Sequence, residues 1–175
     1  MKQQLIDSLL SNYTLNEYHE VLVNAPAEGV YQAVKETDFG ESKAIVTLFK
    51  LGGMPPMELN LHGFTRDGNF VLLGENEPEE IGLGLLFTNK FTSTTPEEFM
   101  TDYPEAKLRV VWNFYCQSVD DKTTRLSTET RIKCAGTFTK ILFRCYWFCI
   151  RPFSGLIRIN MLKLIKKNAE QAAPV

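Results

Sequence analysis

Two periodicities, about two and about 3.6 residues, divide this chain into strand-forming and helix-forming stretches. Residues 3–12 place Leu5, Leu9 and Leu10 on one side of a short amphipathic helix. Residues 18–23 alternate and include β-branched positions, which predicts a strand. Asn24 and Pro26 then read as a helix start with Glu28 in its first turn. That helix should carry Val30, Tyr31 and Val34 inward and stop near Phe39 and Gly40. A second helix over residues 43–51 gathers Ile45, Leu48 and Phe49, and Gly52, Gly53, Pro55 and Pro56 end it.

The middle of the chain reads as β. Strands are expected over residues 58–65, 69–75 and 79–89, the first two joined by a hairpin at Asp67-Gly68. Residues 107–119 alternate most clearly. Leu108, Val110, Trp112, Phe114 and Cys116 point one way, and Arg109, Val111, Asn113, Tyr115 and Gln117 the other. Residues 123–134 set Leu126, Thr128, Thr130 and Ile132 against Arg125, Ser127, Glu129 and Arg131. Such a run forms a meandering antiparallel sheet. Residues 137–170 are helical, with Leu142, Tyr146, Cys149, Ile150, Phe153, Ile157, Met161 and Leu164 on one side. Pro152 and Gly155 predict a kink or short break at 151–154. The whole is one domain, residues 1–175, with 1–16 as a peripheral segment.

Composition narrows the function classes. With 44% hydrophobic and 23% charged residues, disordered, collagen-like and mucin-like readings fall away. The formal net charge is −2, so nothing global points to nucleic acid. The charge is uneven, however. Residues 137–175 hold seven basic residues and one acid, against twelve and twenty in the rest. No secretory signal or membrane-spanning run is visible, so a cytoplasmic protein is expected, with Cys116, Cys134, Cys145 and Cys149 reduced.

Two stretches carry a family likeness. One is Phe70-Val-Leu-Leu-Gly-Glu-Asn-Glu-Pro-Glu-Glu-Ile-Gly-Leu-Gly-Leu85. The other is Thr128-Glu-Thr-Arg-Ile132 followed by Phe143, Tyr146-Trp147 and Ile150-Arg-Pro-Phe-Ser-Gly-Leu-Ile-Arg158. Over residues 17–170 the chain resembles the START-like, or SRPBCC, superfamily, which includes birch-pollen-allergen relatives and polyketide cyclases. The resemblance implies an α+β helix-grip fold: a curved antiparallel sheet around a long C-terminal helix, with two short helices after the first strand. It also implies a cavity for a hydrophobic or amphipathic, lipid-like small molecule, since superfamily members bind such ligands between sheet and helix. By position, the lining would come from Trp112, Phe114, Leu83, Leu85, Tyr146, Ile150, Phe153 and Ile157.

Candidate chemistry is sparse. His19 and His62, both on expected strands, lack neighbours for a metal site, and Cys145 and Cys149 match no zinc knuckle. Neither a metal nor a cofactor is expected. Gly82-x-Gly84 lies inside a strand, where it permits a bend or the close approach of a helix or ligand rather than phosphate binding. Glu129, beside Arg131, would anchor a polar ligand group if its face is concave, and would be a solvated charge ladder if it is not. Binding is therefore expected rather than catalysis. The alternatives are a cyclase- or dehydratase-like enzyme using Glu129, Tyr146 or His62, and a protein-interaction module without ligand. Lys140, Arg144, Arg151 and Arg158 fall within about 40° of one another on the helix, opposite its apolar side. The default reading of this stripe is a solvated surface; Phe148 close to it raises weak docking on an anionic membrane surface or a homodimer contact as the alternatives.

Overall fold

The computed structural model describes residues 3–51, 57–101 and 103–173. Helix α1 (Leu5–Leu9) precedes strand β1 (Leu15–Val23), which is followed by α2 (Ala27–Glu36), a 3-10 turn (Phe39–Glu41), α3 (Lys43–Leu51) and α4 (Leu61–Arg66). Then come β2 (Val71–Asn76), β3 (Glu80–Phe87), β4 (Phe91–Thr92), α5 (Pro96–Met100), β5 (Leu108–Asp120), β6 (Thr123–Cys134) and α6 (Gly136–Ala172). The strands form one sheet in the order β1-β6-β5-β3-β2, with β4 paired to β3, and every pairing is antiparallel. First and last strands are neighbours, so the chain must travel from one edge of the sheet to the other between β1 and β2. Helices α2, α3 and α4 make that passage, and α6 returns across the same face. This is the helix-grip architecture.

The inner face of the sheet is buried and the outer face is covered in part, for different reasons. On the inner face, Ile81, Leu83, Trp112, Phe114, Cys116 and Leu126 meet Val30, Tyr31 and Val34 of α2, Ile45 of α3, Phe64 of α4, and Met161, Leu162 and Ile165 of α6. The expected alternation of β5 therefore holds. On the outer face, α1 and α5 bring Ile6, Leu10 and Phe99 against Leu86 and Val111. Gly82 and Gly84 admit these helices: a Cβ on Gly82 would lie 2.8 Å from a Leu9 methyl, and one on Gly84 2.8 Å from the Phe99 ring. Of the readings open for this glycine pair, close helix approach is the one observed.

Local sequence misleads at several points. Residues 58–65 do not form a strand. Asn60 accepts from the Gly63 N–H at 2.7 Å and caps α4, while Gly68 N–H bonds back to the Gly63 and Phe64 carbonyls, so Asp67-Gly68 ends a helix instead of turning a hairpin. His62 is accordingly an exposed helix residue. Replacing Asn60 by alanine should cost about 1 kcal/mol in chemical denaturation, the usual worth of such a cap. Asn24 caps nothing with its side chain. Its backbone N–H instead donates to Glu170 near the end of α6, at 2.7 Å, and α2 starts after Pro26. The end of α2 at Glu36 is followed by the 3-10 turn, and the expected stop after Leu51 at residues 52–56 lies outside the described residues.

Helix α6 is unbroken across 151–154, with Pro152 inside it. Phe148, whose carbonyl loses its partner there, is on an exposed part of the helix, so water can satisfy that group. Gly155 marks a contact, since a Cβ there would lie 2.9 Å from the Glu17 carboxylate on β1. The inward phase also differs from expectation. In the second half of α6 the buried positions are Gly155, Met161, Leu162, Ile165 and Ala169. Most of these share a side with Arg158, which consequently leaves the solvated stripe and turns inward.

Candidate ligand cavity

A cavity of about 540 Å³ lies between the inner face of the sheet, α3, α4 and α6. Its deep wall is aromatic. Trp112 of β5 sits edge-on to Phe64 and Phe70, with ring centroids 5.6 and 5.7 Å away, and contacts Phe114 at 5.0 Å. The Trp112 indole N–H donates to Thr128 Oγ1 at 2.7 Å, and that hydroxyl in turn donates to the Asn113 carbonyl, so the ring's orientation is fixed by a buried relay. Helix α3 supplies Leu48, Phe49 and Leu51, and α6 supplies Tyr146, Ile150, Phe153, Ser154, Ile157, Arg158 and Met161. Leu51, Tyr146 and Phe153 are exposed and form the rim.

Five of the residues expected to line such a cavity are brought together here: Trp112, Tyr146, Ile150, Phe153 and Ile157. Phe114 and Leu83 point to the same side of the sheet but are consumed by the core around it, and Leu85 is buried outside that lining. Glu129 is on the other face. It accepts from Arg131 Nε at 2.9 Å and Nη2 at 3.1 Å and from Asn16 at 3.1 Å, beneath α1. That arrangement is neither a concave ligand anchor nor a solvated ladder, because α1 covers a face that local alternation could only assign to solvent. Arg131 Nη1 donates to the Ile6 and Leu10 carbonyls, each at 3.3 Å, and Nη2 reaches Asp7 at 2.8 Å. Burial by itself would push the Arg131 guanidinium down, but its bonds to Glu129 and Asp7 hold it above its ordinary value.

The charged side chain in the lining is Arg158. Its guanidinium lies 5.5 Å from the centre of the Trp112 ring. Nε and Nη2 donate to Thr130 Oγ1 at 3.0 and 2.7 Å, and Nη1 donates to Ser154 Oγ at 2.8 Å. Ser154 passes its own hydrogen bond to the buried Glu17 carboxylate at 2.9 Å, and the other Glu17 oxygen meets His19 Nε2 at 3.0 Å. Among the described residues no carboxylate comes within ion-pairing distance of Arg158; its nearest negative charge is one hydroxyl removed. Desolvation pushes this guanidinium below its usual range, opposed by the attraction of Glu17. Eight lining residues were missing from the expected set: Leu48, Phe49 and Leu51 of α3, Phe64 and Phe70, and Ser154, Arg158 and Met161 of α6. The spacing of Gly155, Arg158, Leu162, Ile165 and Ala169 at threes and fours was the signal for Arg158, and the Asn60 cap was the signal for Phe64.

The remaining polar candidates lie elsewhere. Cys116 is buried in the core, where burial raises its thiol to about 12, and Cys145 and Cys149 are exposed on α6. Among the described residues no group of three histidine, cysteine or acidic side chains is placed to hold a metal ion. No helix among the described residues is long and apolar enough to cross a membrane.

Neither a protein-family model nor a curated protein matches the sequence. Solved structures do align with it. Norcoclaurine synthase from Thalictrum flavum, in complex with dopamine and hydroxybenzaldehyde, is 13% identical, with a TM-score of 0.49 over 100% of this chain and 96% of that one. The resistance protein CalC from Micromonospora echinospora is 12% identical, with a TM-score of 0.43 over 93% and 98%. The Zhui aromatase/cyclase from Streptomyces sp. R1128 is 12% identical, with a TM-score of 0.39 over 90% and 94%.

Proposed function

We propose that this protein binds an amphipathic small molecule, its apolar body in the cavity and an acidic group against Arg158. The carrying observation is the contrast inside one pocket: walls of Phe49, Phe64, Phe70, Trp112 and Ile157, and a single guanidinium with no carboxylate in direct contact. Volume supports the reading, since small-molecule sites fall in the range of about 300–1,000 Å³. A half-buried cation bonded only to hydroxyls carries part of the cost of desolvation, and an anionic ligand group offsets that cost. Among the described lining residues there is no carboxylate, histidine or cysteine, and the one acid–base candidate of the enzyme alternative that lines the cavity, Tyr146, stands at its exposed rim, which favours binding over proton-transfer chemistry.

The test compares dodecanoate with dodecanol, which share a tail and differ in charge. The natural chain should bind dodecanoate more tightly by about 10–100-fold, the worth of a charge-assisted hydrogen bond. Arg158→Met should remove that preference while leaving dodecanol binding. Equal binding of acid and alcohol by the natural chain contradicts the assignment of Arg158, and binding of neither contradicts the cavity reading.

A further inference from the structure

The two halves of α6 have opposite surroundings. From Gly155 onward the helix buries Gly155, Met161, Leu162, Ile165 and Ala169, whereas residues 136–153 contain no buried position. The first half is nevertheless rich in large apolar side chains. Phe138 is 79% exposed and Phe148 84% exposed, and Ile141, Leu142, Tyr146 and Phe153 are exposed as well. At 100° per residue these six, with Cys145 and Cys149, cover an arc of about 160°. Lys140, Arg144 and Arg151 lie together outside that arc, also exposed. An uncovered apolar surface of this kind marks an interaction site.

We propose that residues 136–153 lie in the plane of an anionic lipid surface and dock the protein there. Three observations select this occupant. A broad apolar arc opposite a cationic face, with aromatics among its residues, is the pattern of an in-plane interfacial helix. Residues 136–153 hold three basic residues, Lys140, Arg144 and Arg151, and no acid, in a chain whose net charge is −2. A second copy of this chain would bring the same cations and no carboxylate on the paired segment, whereas anionic headgroups complement them. Finally, Tyr146 and Phe153 belong both to the exposed arc and to the cavity rim, so the docked helix would set the mouth of the cavity against the lipid.

Sedimentation with phosphatidylcholine vesicles, with and without phosphatidylglycerol, tests this without any added ligand, so its outcome is separate from that of the cavity reading. The natural chain should pellet with the anionic vesicles at low salt, pellet less as salt rises, and stay in solution with phosphatidylcholine alone. Each cation near such a surface contributes about fivefold, so Arg144→Gln with Arg151→Gln should weaken binding by about 25-fold. Ile141→Ser with Phe148→Ser should abolish it with thermal unfolding unchanged, since both positions are exposed. Absence of binding to anionic vesicles at low salt overturns the proposal. So does a dimer seen by analytical ultracentrifugation that the Ile141 and Phe148 variant dissolves while vesicle binding persists.

Discussion

Replacing Arg131 by leucine is expected to destabilise the protein by about 3–5 kcal/mol, the cost of removing one partner from a buried ion pair. The reason is the way α1 is held. A short helix leaves its first N–H groups and last carbonyls without partners. Here the Leu5 and Ile6 N–H groups donate to the buried Glu80 carboxylate at 2.6 and 3.1 Å, and Asn113 donates to the same carboxylate at 2.6 Å. At the other end Arg131 takes the Ile6 and Leu10 carbonyls, so an anion meets the positive end of the helix and a cation the negative end. Removing Arg131 strands the Glu129 carboxylate and loosens both carbonyls. Urea denaturation measures the loss, and hydrogen exchange at Leu10, whose N–H bonds Ile6 at 3.0 Å, reports whether α1 has lifted. Asp7→Asn, at an exposed partner, should cost under about 1 kcal/mol. A loss at Arg131 as small as that would mean that α1 is held by its apolar contacts alone.

Trp112→Ala should cost about 3–5 kcal/mol, as for a large aromatic in a closed core. Trp112 is 5% exposed and touches Phe64, Phe70, Phe114 and the Arg158 guanidinium. Its removal joins the space it vacates to the cavity and leaves Thr128 without the indole donor. Denaturation of the variant measures the cost. A loss below about 1 kcal/mol would show that the ring borders a hydrated opening, since an exposed face forfeits little packing on truncation.

These two residues also show what can be read from a sequence of this kind. Trp112 was legible because β5 alternates under a core that covers one face continuously. Arg131 was legible as a position on the opposite face but not as a buried one, because its cover is α1, more than a hundred residues earlier in the chain. No local period reports such a contact. α4 was lost for a different reason: Leu59, Leu61 and Gly63 alternate like a strand, and only the Asn60 cap distinguishes the helix. In α6 apolar residues occur all around the axis, so one phase over the whole helix averages two halves with different surroundings. Arg158 was thereby assigned to the stripe of Lys140, Arg144 and Arg151, although it faces Trp112.

An amphipathic acid is expected to lodge between Trp112 and α6. Titration of isotopically labelled protein with dodecanoate, followed by nuclear magnetic resonance, tests it most directly. The methyl signals of Ile150, Ile157 and Met161 and the indole N–H of Trp112 should shift together and saturate, while Ile6 of α1, on the other face of the sheet, stays unmoved. Shifts confined to Ile141 and its exposed neighbours, with Met161 and Trp112 unchanged, would place the molecule on the outside of α6 and contradict the claim.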